Sequence, residues 1–456
     1  MSSFPDVGAF PPGFRFGAAT SAYQIEGSVL ADGRGPSWWD GFAHTPGRIR
    51  DGSHADVACD HYRRWEEDVD WMQRLGLGAY RFSIAWPRVL PGGRGRLNPA
   101  GLAFYDRLID ALLARGIQPY VTLYHWDLPQ PLAEAGGWQS RETAEALAGY
   151  AAEMVRQYGD RVVRWSTLNE PRCAAWVGHL EGRHAPGLQD LGATLTAAHH
   201  LLLGHGLAMQ AMRAERPDAS VGIVLDVKPF TEASIGHEHA EAVRRADGVF
   251  NRWFLDPLFL GRYPQDIADE LAAFMPPIHG GDLASIAQPL DHLGLNYYTR
   301  GHVRDDPTRP HPHTAEVPVP GAHYSTMGWE DWPEGLTHML RRIHHEYAPK
   351  ALYIAENGAA EPDVLEAGGR VRDAARTRYL AGHLQACAQA LAEGVPLDAY
   401  FAWSLMDNFE WGRGLTQRFG LLHVDFETLQ RRPKDSALAY RDFIAAHGAA
   451  AITGSC

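Results

Sequence analysis

Short apolar runs alternate along this chain with longer segments in which apolar residues recur every three or four positions. The short runs consist mostly of aliphatic and aromatic residues, a composition typical of buried strands. Eight such runs are predicted strands: Phe14–Ala18, Ala79–Ile84, Ile117–Leu123, Val163–Leu168, Val221–Leu225, His292–Asn296, Leu352–Glu356 and Asp398–Ser404.

The longer segments predict amphipathic helices. In Leu102–Arg115 the apolar residues fall on one helical face, and Gly116 ends the helix. Thr143–Tyr158 and Arg376–Leu391 show the same pattern. Strands that alternate with helices predict a (β/α)8 TIM barrel, and we expect one such domain with elaborated βα loops over residues 1–456. A doubly wound sheet would also alternate, but no Gly-x-Gly-x-x-Gly motif follows the first strand.

Polar and aromatic side chains follow the predicted strands at their carboxyl ends. In a (β/α)8 barrel these ends meet at one face, and that face carries the active site. The segment Asp305–Ala322 is rich in Pro and His and is predicted to be a loop over this face. The strand-end residues are Arg81, His125, Trp126, Asn169, Glu170, Asn296, Tyr298, Glu356 and Trp403. Together they predict a site for a polar ligand rich in hydroxyl groups.

Two of these strand ends carry glutamate: Glu170 precedes Pro171, and Glu356 precedes an Asn-Gly turn. Because proline restricts the residue before it, we expect Glu170 in extended geometry. Two carboxyl groups about 5–5.5 Å apart can hydrolyse a glycosidic bond, one as acid and the other as nucleophile. Arg81 would then hold Glu356 ionised, and a less charged pocket would keep Glu170 protonated. Each glutamate alone could equally be a solvated strand-end residue.

Other residues leave a functional and a structural interpretation open. His125, Trp126, Trp403 and Trp411 could bind a sugar or could belong to the core. Glu410 precedes Trp411, so a carboxylate that accepts from two adjacent hydroxyls could lie beside an aromatic platform. An exposed glutamate next to a buried tryptophan is the alternative.

Charge, cysteines and histidines narrow the class of protein. A formal net charge of −13 disfavours nucleic acids and anionic membranes as partners. No apolar run reaches the roughly 18 residues of a membrane span, and no signal peptide is recognisable at the start, so we expect a cytoplasmic enzyme. Neither the cysteines nor the histidines have the spacing of a metal site, so we expect no metal and no cofactor. The residues concerned are the predicted free thiols Cys59, Cys173, Cys387 and Cys456, and His199, His200, His205, His237 and His239.

Seven motifs spread over the chain carry a resemblance to a known family. They are FGAATSAYQIEG at residues 16–27, YRFSIAWPR at 80–88, TLYHWDLP at 122–129, TLNEP at 167–171, LNYY at 295–298, AENG at 355–358 and WSLMDNFEW at 403–411. At these residues the chain resembles the family 1 glycoside hydrolases, the retaining β-glucosidases, over essentially its whole length.

The resemblance implies a role for each site residue. It implies that Glu170 is the general acid/base and that Glu356 is the nucleophile that forms the glycosyl-enzyme. Arg81 and Tyr298 would orient and ionise Glu356, and Asn296 would support Glu170. The resemblance also implies a set of sugar-binding residues. They would contact the sugar hydroxyls, form the floor of the sugar site or line the side of the leaving group. They are Gln24, His125, Trp126, Asn169, Tyr298, Trp329, Trp403, Glu410, Trp411 and Phe419.

Departures from the family pattern refine these expectations. Members that act on 6-phosphorylated sugars carry Ser, Lys and Tyr where this chain has Glu410, Gln417 and Phe419, so we expect a neutral sugar. Myrosinase-type members replace the acid/base by Gln, which Glu170 argues against. Arg172 stands where the family often has an aromatic residue beside the leaving group, which leaves the aglycone preference open.

We therefore expect a retaining β-glycosidase that removes terminal, non-reducing β-D-glucosyl residues from short β-glucosides and cello-oligosaccharides by double displacement. Its partner would be that small-molecule or oligosaccharide substrate. A β-galactosidase, β-fucosidase or transglycosylase would use the same site. A carbohydrate-binding protein without catalysis could share the fold, and a metal-dependent barrel hydrolase is a further alternative.

Overall fold

A closed barrel of eight parallel strands forms the centre of the molecule. The computed structural model describes residues 4–233 and 238–453, so His237 and Cys456 lie outside the described residues. Each barrel strand pairs with its neighbours in chain order, and the eighth pairs with the first. The first to eighth barrel strands are Arg15–Ala19, Ala79–Ser83, Gln118–Tyr124, Arg164–Asn169, Ser220–Asp226, His292–Asn296, Leu352–Asn357 and Leu397–Trp403.

The predicted (β/α)8 barrel is confirmed, and every predicted strand end lies within one residue of the observed one. The predicted helices are also present. The first of them, Pro99–Ala114, buries Tyr105, Leu108 and Leu112 on one face. Gly116 follows it with a φ of 70°, a left-handed conformation that glycine adopts without a steric penalty.

The helices of the described residues lie between and after the barrel strands. Their apolar faces cover the outside of the barrel, which is why the strands are buried on both faces and consist of continuous apolar runs. They are Ala22–Ile25, Trp38–His44, His61–Arg74, Trp86–Val89, Pro99–Ala114, Gln130–Glu134, Arg141–Tyr158, Leu191–Glu215, Ala240–Asp247, Trp253–Leu260, Gln265–Glu270, Asp282–Ile286, Pro333–Tyr347, Ala374–Ala392 and Asp435–Thr453.

Aromatic side chains fill the inside of the barrel. The ring of Tyr120 lies 4.8 Å from that of Phe401 and 5.7 Å from that of Tyr353, measured between centroids. Gly294 makes room for this packing, because a Cβ there would lie 2.6 Å from the ring of Tyr353. The barrel is therefore a packed core, and space for a ligand exists only at its ends.

Three short strands outside the barrel form a separate sheet: Phe230–Glu232, Gly301–Asp305 and Thr314–Glu316. The prediction that Asp305–Ala322 is a loop is therefore wrong for Thr314–Glu316, which pairs antiparallel with Gly301–Asp305. The buried side chains of Val303 and Ala315 stabilise this pairing. Two further hairpin-like pairs are Val364–Leu365 with Val371–Arg372 and Leu422–Val424 with Arg431–Pro433. Within the described residues, every helix is too short or too polar to cross a membrane.

Candidate active site

A cavity of about 470 Å³ opens at the carboxyl ends of the barrel strands. Most of the residues predicted for the site line this cavity: His125, Trp126, Glu170, Asn296, Tyr298, Trp329, Glu356, Trp403, Glu410, Trp411 and Phe419. The other three are buried next to it: Arg81 donates to Glu356, Asn169 hydrogen bonds His125, and Gln24 donates to the carbonyl of Phe409, the residue before Glu410. The structure thus brings all the predicted side chains together.

Glu356 is a buried carboxylate at the end of the seventh barrel strand. Arg81 donates from Nη1 to its Oε1 at 2.6 Å, and the Tyr298 hydroxyl donates to its Oε2 at 2.6 Å. The backbone after it is tightly packed, because a Cβ on Gly358 would lie 1.8 Å from the carbonyl oxygen of Trp403. Both carboxylate oxygens are therefore held in place, and only glycine allows the seventh and eighth strand ends to approach so closely.

Glu170 lies at the end of the fourth barrel strand, but not in the extended geometry expected before Pro171. Its φ is 45°, in the left-handed region, so that expectation is wrong. Two backbone hydrogen bonds enforce the conformation: its N–H donates to the carbonyl of Val224 at 2.9 Å, and its carbonyl accepts from Ala174 at 3.2 Å. Asn296 then donates from Nδ2 to Oε1 of the carboxyl group at 2.7 Å. The tight turn directs the side chain into the cavity.

The two glutamates have unequal electrostatic environments. Burial raises the pKa of Glu170 well above its usual value, and the carboxylates of Asp226 and Glu356 raise it further. Burial also raises the pKa of Glu356, but Arg81 and the Tyr298 hydroxyl both oppose this rise. Glu356 is therefore the carboxyl group that ionises first, and Glu170 is the one that keeps its proton. This is the division that a pair consisting of a nucleophile and an acid requires.

Replacement of Tyr298 by phenylalanine tests this difference in pKa between Glu356 and Glu170. The loss of one hydrogen bond to an ionised group should reduce kcat by about 10- to 100-fold. Because the Tyr298 hydroxyl lowers the pKa of Glu356, its loss raises that pKa and should shift the acidic limb of kcat/KM to higher pH. Rates measured between pH 4 and 9 check both effects. An acidic limb that stays in place would contradict the role of Tyr298.

A chain of hydrogen bonds links Arg81 to His125. Arg81 donates from Nη2 to Oδ1 of Asn169 at 2.6 Å, and Asn169 donates from Nδ2 to Nε2 of His125 at 3.1 Å. Burial and the charge of Arg81 lower the pKa of His125 well below its usual value, so the ring is neutral. Its Nε2 accepts and its Nδ1 carries the proton. That N–H has no partner among the described protein residues, which makes it available to a ligand hydroxyl.

Gln24 contacts the loop that carries Glu410. The side-chain amide of Gln24 donates to Oδ1 of Asn408 at 3.0 Å and to the carbonyl of Phe409 at 2.9 Å. Gln24 is fully buried, and its hydrogen bonds to Asn408 and Phe409 fix the chain next to Glu410. Burial and the charge of Glu356 raise the pKa of Glu410 to about 8. Its Oε2 has no partner within the described chain and can accept from a ligand.

The Glu410→Gln variant should gain stability at high pH while losing sugar binding. A carboxyl group with a raised pKa in the folded state favours folding below its unfolded pKa of about 4.5, and this contribution is lost as the pH rises towards 8. Glutamine removes that loss, so Tm should rise by about 2 °C or more at pH 8.5 relative to wild type. At pH 5 the two melting temperatures should nearly coincide. Equal differences at both pH values would contradict the raised pKa.

The aromatic residues of the cavity belong to the hydrophobic core and also line the site. The Trp126 indole donates to the carbonyl of Asn169 at 2.9 Å, and its ring lies 4.6 Å from that of Trp411. Trp126 and Trp411 both have left-handed backbone conformations, with φ of 77° and 45°. Such backbone strain persists where the surroundings fix it, often at functional sites. A second group of rings, 5.0 to 6.1 Å apart, forms the wall near Glu356: Tyr298, Trp329 and Phe419.

An ion pair that the sequence did not predict lines the same cavity. Arg172 donates from Nε to Oδ2 of Asp226 at 2.5 Å, and its guanidinium stacks on Phe250 at 3.8 Å from the ring centroid. Asp226 ends the fifth barrel strand and follows the predicted strand Val221–Leu225 directly. A polar strand end was the signal used elsewhere in the barrel, so the sequence could have revealed Asp226.

Two groups of side chains in the described residues have the composition of a metal site. His44, His54 and Asp56 lie together on the surface, and a second group, Glu170, Cys173 and Asp226, lies in the cavity; within each group the ligand atoms are within 4.8 Å of one another. The guanidinium of Arg172 already supplies a cation to the second group. In the cavity, the Asp226 carboxylate of this second group is therefore already paired with a protein cation.

Paired buried carboxyl groups of unequal proton affinity at the carboxyl end of a (β/α)8 barrel are the functional groups of a glycoside hydrolase. The comparisons agree with that class. The profile described as glycosyl hydrolase family 1 matches residues 7–449, and the chain belongs to this family.

Several relatives are similar over nearly their whole length. The chain is 46% identical to β-glucosidase A of Thermotoga maritima, over 97% of this chain and 99% of that protein. It is 46% identical to a β-glucosidase of Agrobacterium sp., over 94% of each protein. The solved structure of a family 1 β-glucosidase from Thermotoga maritima superposes with a TM-score of 0.94 at 45% identity, covering 96% of this chain and 98% of that one.

Proposed function

We propose that this retaining β-glycosidase hydrolyses terminal, non-reducing β-D-glucosyl residues of short β-glucosides and cello-oligosaccharides. The observation that carries the proposal is the pair Glu170 and Glu356, buried in one cavity, with Arg81 and Tyr298 bound to Glu356 and Asn296 bound to Glu170. The relatives named β-glucosidase at 46% identity support glucose as the sugar. The residues below are assigned to the two steps of a double displacement.

In the first step, Glu356 attacks the anomeric carbon and Glu170 protonates the departing glycosidic oxygen. Arg81 and Tyr298 hold both oxygens of Glu356, so the attacking atom needs little reorganisation. Burial keeps the proton on Glu170 until the leaving oxygen accepts it. A C–O bond to the aglycone breaks and an ester bond to Glu356 forms.

In the second step, Glu170 acts as the base. It has lost its proton, and the ester at Glu356 no longer carries a negative charge. Glu170 takes a proton from water, the water oxygen attacks the anomeric carbon, and the ester bond to Glu356 breaks. Two inversions at the same carbon give net retention, so the released glucose is the β-anomer.

Sugar recognition falls to the polar groups that have no protein partner. The His125 Nδ1–H is a donor and the Glu410 Oε2 is an acceptor, and Trp403 lies beside them as a flat apolar surface. Gln417 and Phe419 support a neutral sugar: Gln417 accepts from Thr326 at 2.6 Å, and Phe419 packs in the aromatic wall, so neither offers a cation to a phosphate.

Proton NMR during hydrolysis of p-nitrophenyl β-D-glucoside tests the proposal. The β-anomer of glucose should appear first, and the α-anomer should grow only as mutarotation proceeds. The 6-phosphorylated glucoside should be turned over much more slowly. If the α-anomer appeared first, the mechanism would be inverting and the assigned roles would be wrong. Failure to release p-nitrophenol at all would favour a carbohydrate-binding protein.

We also propose that the enzyme works in the cytoplasm. Support comes from Cys59 and Cys387, which are buried thiols without a disulfide in the structure, the state that a reducing compartment maintains. Activity measured in separated cytoplasmic and secreted fractions tests this. Activity found mainly in the secreted fraction would contradict it.

A further inference from the structure

The ion pair of Arg172 and Asp226 stands directly beside the proposed acid/base. Only 14% of the Arg172 side chain and 10% of the Asp226 side chain are exposed. Arg172 donates to Asp226 and to Sγ of Cys173, at 2.5 and 3.3 Å, and stacks on Phe250. A guanidinium with these contacts has little freedom to move. The position of the Asp226 carboxylate is therefore fixed.

This carboxylate faces Glu170. The acid oxygens of Glu170 and Asp226 and the Cys173 sulfur all lie within 4.8 Å of one another. The Asp226 carboxylate therefore favours the protonated form of Glu170. Arg172 contacts the Asp226 carboxylate through Nε and the Cys173 sulfur through Nη2.

We propose that Asp226 is a positioning residue for the reaction: Arg172 fixes its carboxylate beside Glu170, where it favours the protonated form of the acid/base in both steps. The inference rests on the proposed function, in which Glu170 is the acid/base. It adds a second carboxylate whose charge, unlike that of Glu356, does not disappear when the glycosyl-enzyme forms.

Several groups around Glu170 affect its pKa. Burial raises its pKa most, Asp226 and then Glu356 raise it further, and the hydrogen bond from Asn296 lowers it. The Cys173 thiol donates to Oδ2 of Asp226 at 3.6 Å. The Tyr298 hydroxyl is held by Glu356. In the glycosyl-enzyme Glu356 is an ester, so its effect on Glu170 is lost and that of Asp226 remains. Asp226 should therefore keep Glu170 a strong enough base to activate water in the second step.

If Asp226 acts in this way, removal of its charge should shift two pH–rate profiles. Loss of a purely structural ion pair would not shift them. In kcat/KM for p-nitrophenyl β-D-glucoside, the basic limb reports loss of the Glu170 proton from the free enzyme. In kcat for 2,4-dinitrophenyl β-D-glucoside, whose leaving group departs easily, hydrolysis of the glycosyl-enzyme limits the rate, and the acidic limb reports protonation of Glu170. Both limbs should move to lower pH when the Asp226 charge is removed.

Two variants test this. Asp226→Asn should lower both limbs by about 0.5 to 1 pH unit, the size expected for one neighbouring charge in a partly screened site. The double variant Arg172→Gln with Asp226→Asn removes both charges, so no unpaired guanidinium is left to attract Glu170. It should also lower both limbs, because it removes the carboxylate charge that lies within 4.8 Å of Glu170. Arg172→Lys, which keeps the cation, should retain the wild-type profile.

Glu215→Gln is the matched control, because it removes one exposed carboxylate at the end of a distant helix. Its pH profiles should equal those of wild type. Unmoved limbs in the double variant would overturn the proposal, as would a shift to higher pH. If Asp226→Asn did not fold, judged by circular dichroism, the double variant alone would decide. Persistence of the basic limb in Glu170→Gln would instead show that the acid/base itself is misassigned, which separates the two failures.

Discussion

Replacement of Glu356 by alanine is expected to reduce kcat for p-nitrophenyl β-D-glucoside by at least about 10⁴-fold, which corresponds to roughly 5.5 kcal/mol of transition-state stabilisation. The covalent route is lost, because the variant lacks the carboxylate that Arg81 and Tyr298 hold in place for attack. The fold should survive, since a smaller side chain at the cavity surface leaves the packed barrel interior unchanged.

The Glu356→Gln variant is the matched comparison, because it keeps the shape of the side chain and removes its charge. It should be as inactive as Glu356→Ala in initial-rate measurements. A loss of less than 100-fold in either variant would mean that another group attacks the sugar. Circular dichroism of both proteins separates loss of chemistry from loss of structure.

Replacement of Glu170 by alanine should have an effect that depends on the leaving group. For a poor leaving group such as methanol or a second glucose, loss of the general acid should reduce kcat/KM by about 10²- to 10⁴-fold. For 2,4-dinitrophenolate, which needs no proton, kcat/KM should fall by less than about 10-fold, while kcat falls because the glycosyl-enzyme lacks its base. The basic limb of the pH profile should disappear.

A series of aryl glucosides with leaving groups of different acidity measures this effect. The logarithm of kcat/KM should depend much more steeply on leaving-group pKa in Glu170→Ala than in wild type. Equal slopes would show that Glu170 does not donate the proton, whatever the loss in rate.

The barrel could be predicted because its strands are buried on both faces and consist of apolar runs. The sixth strand, His292–Asn296, has the same bounds in prediction and structure. Its last residue, Asn296, breaks the apolar run with a polar side chain, and that side chain contacts Glu170. The same break occurs at Glu356. Polar residues at the ends of apolar runs therefore located most of the site without any structural information.

Features that depend on distant parts of the chain could not be predicted. The side-chain amide of Gln24 donates to Asn408, which lies 384 positions away in the chain. The left-handed φ of Glu170 depends on a hydrogen bond to Val224 in the neighbouring strand. Local rules for the residue before proline contain no information on such contacts.

The difference in pKa between Glu170 and Glu356 has local and distant causes. Burial alone raises the pKa of both glutamates. This contribution could be expected from the sequence, because each glutamate ends a predicted buried strand. The difference between them comes from Arg81 and Tyr298 on one side and Asp226 on the other. Asp226 and its partner Arg172 lie 54 positions apart in the chain, and their contact is visible only in the folded protein.

The products formed in the presence of azide test the assignment of Glu356 and Glu170 most directly. With 2,4-dinitrophenyl β-D-glucoside, azide should restore turnover of Glu356→Ala by attacking from the face that the carboxylate has vacated, and the product should be α-glucosyl azide. In Glu170→Ala, azide should attack the glycosyl-enzyme from the opposite face and give β-glucosyl azide. The reverse pattern, or the same anomer from both variants, would contradict the account.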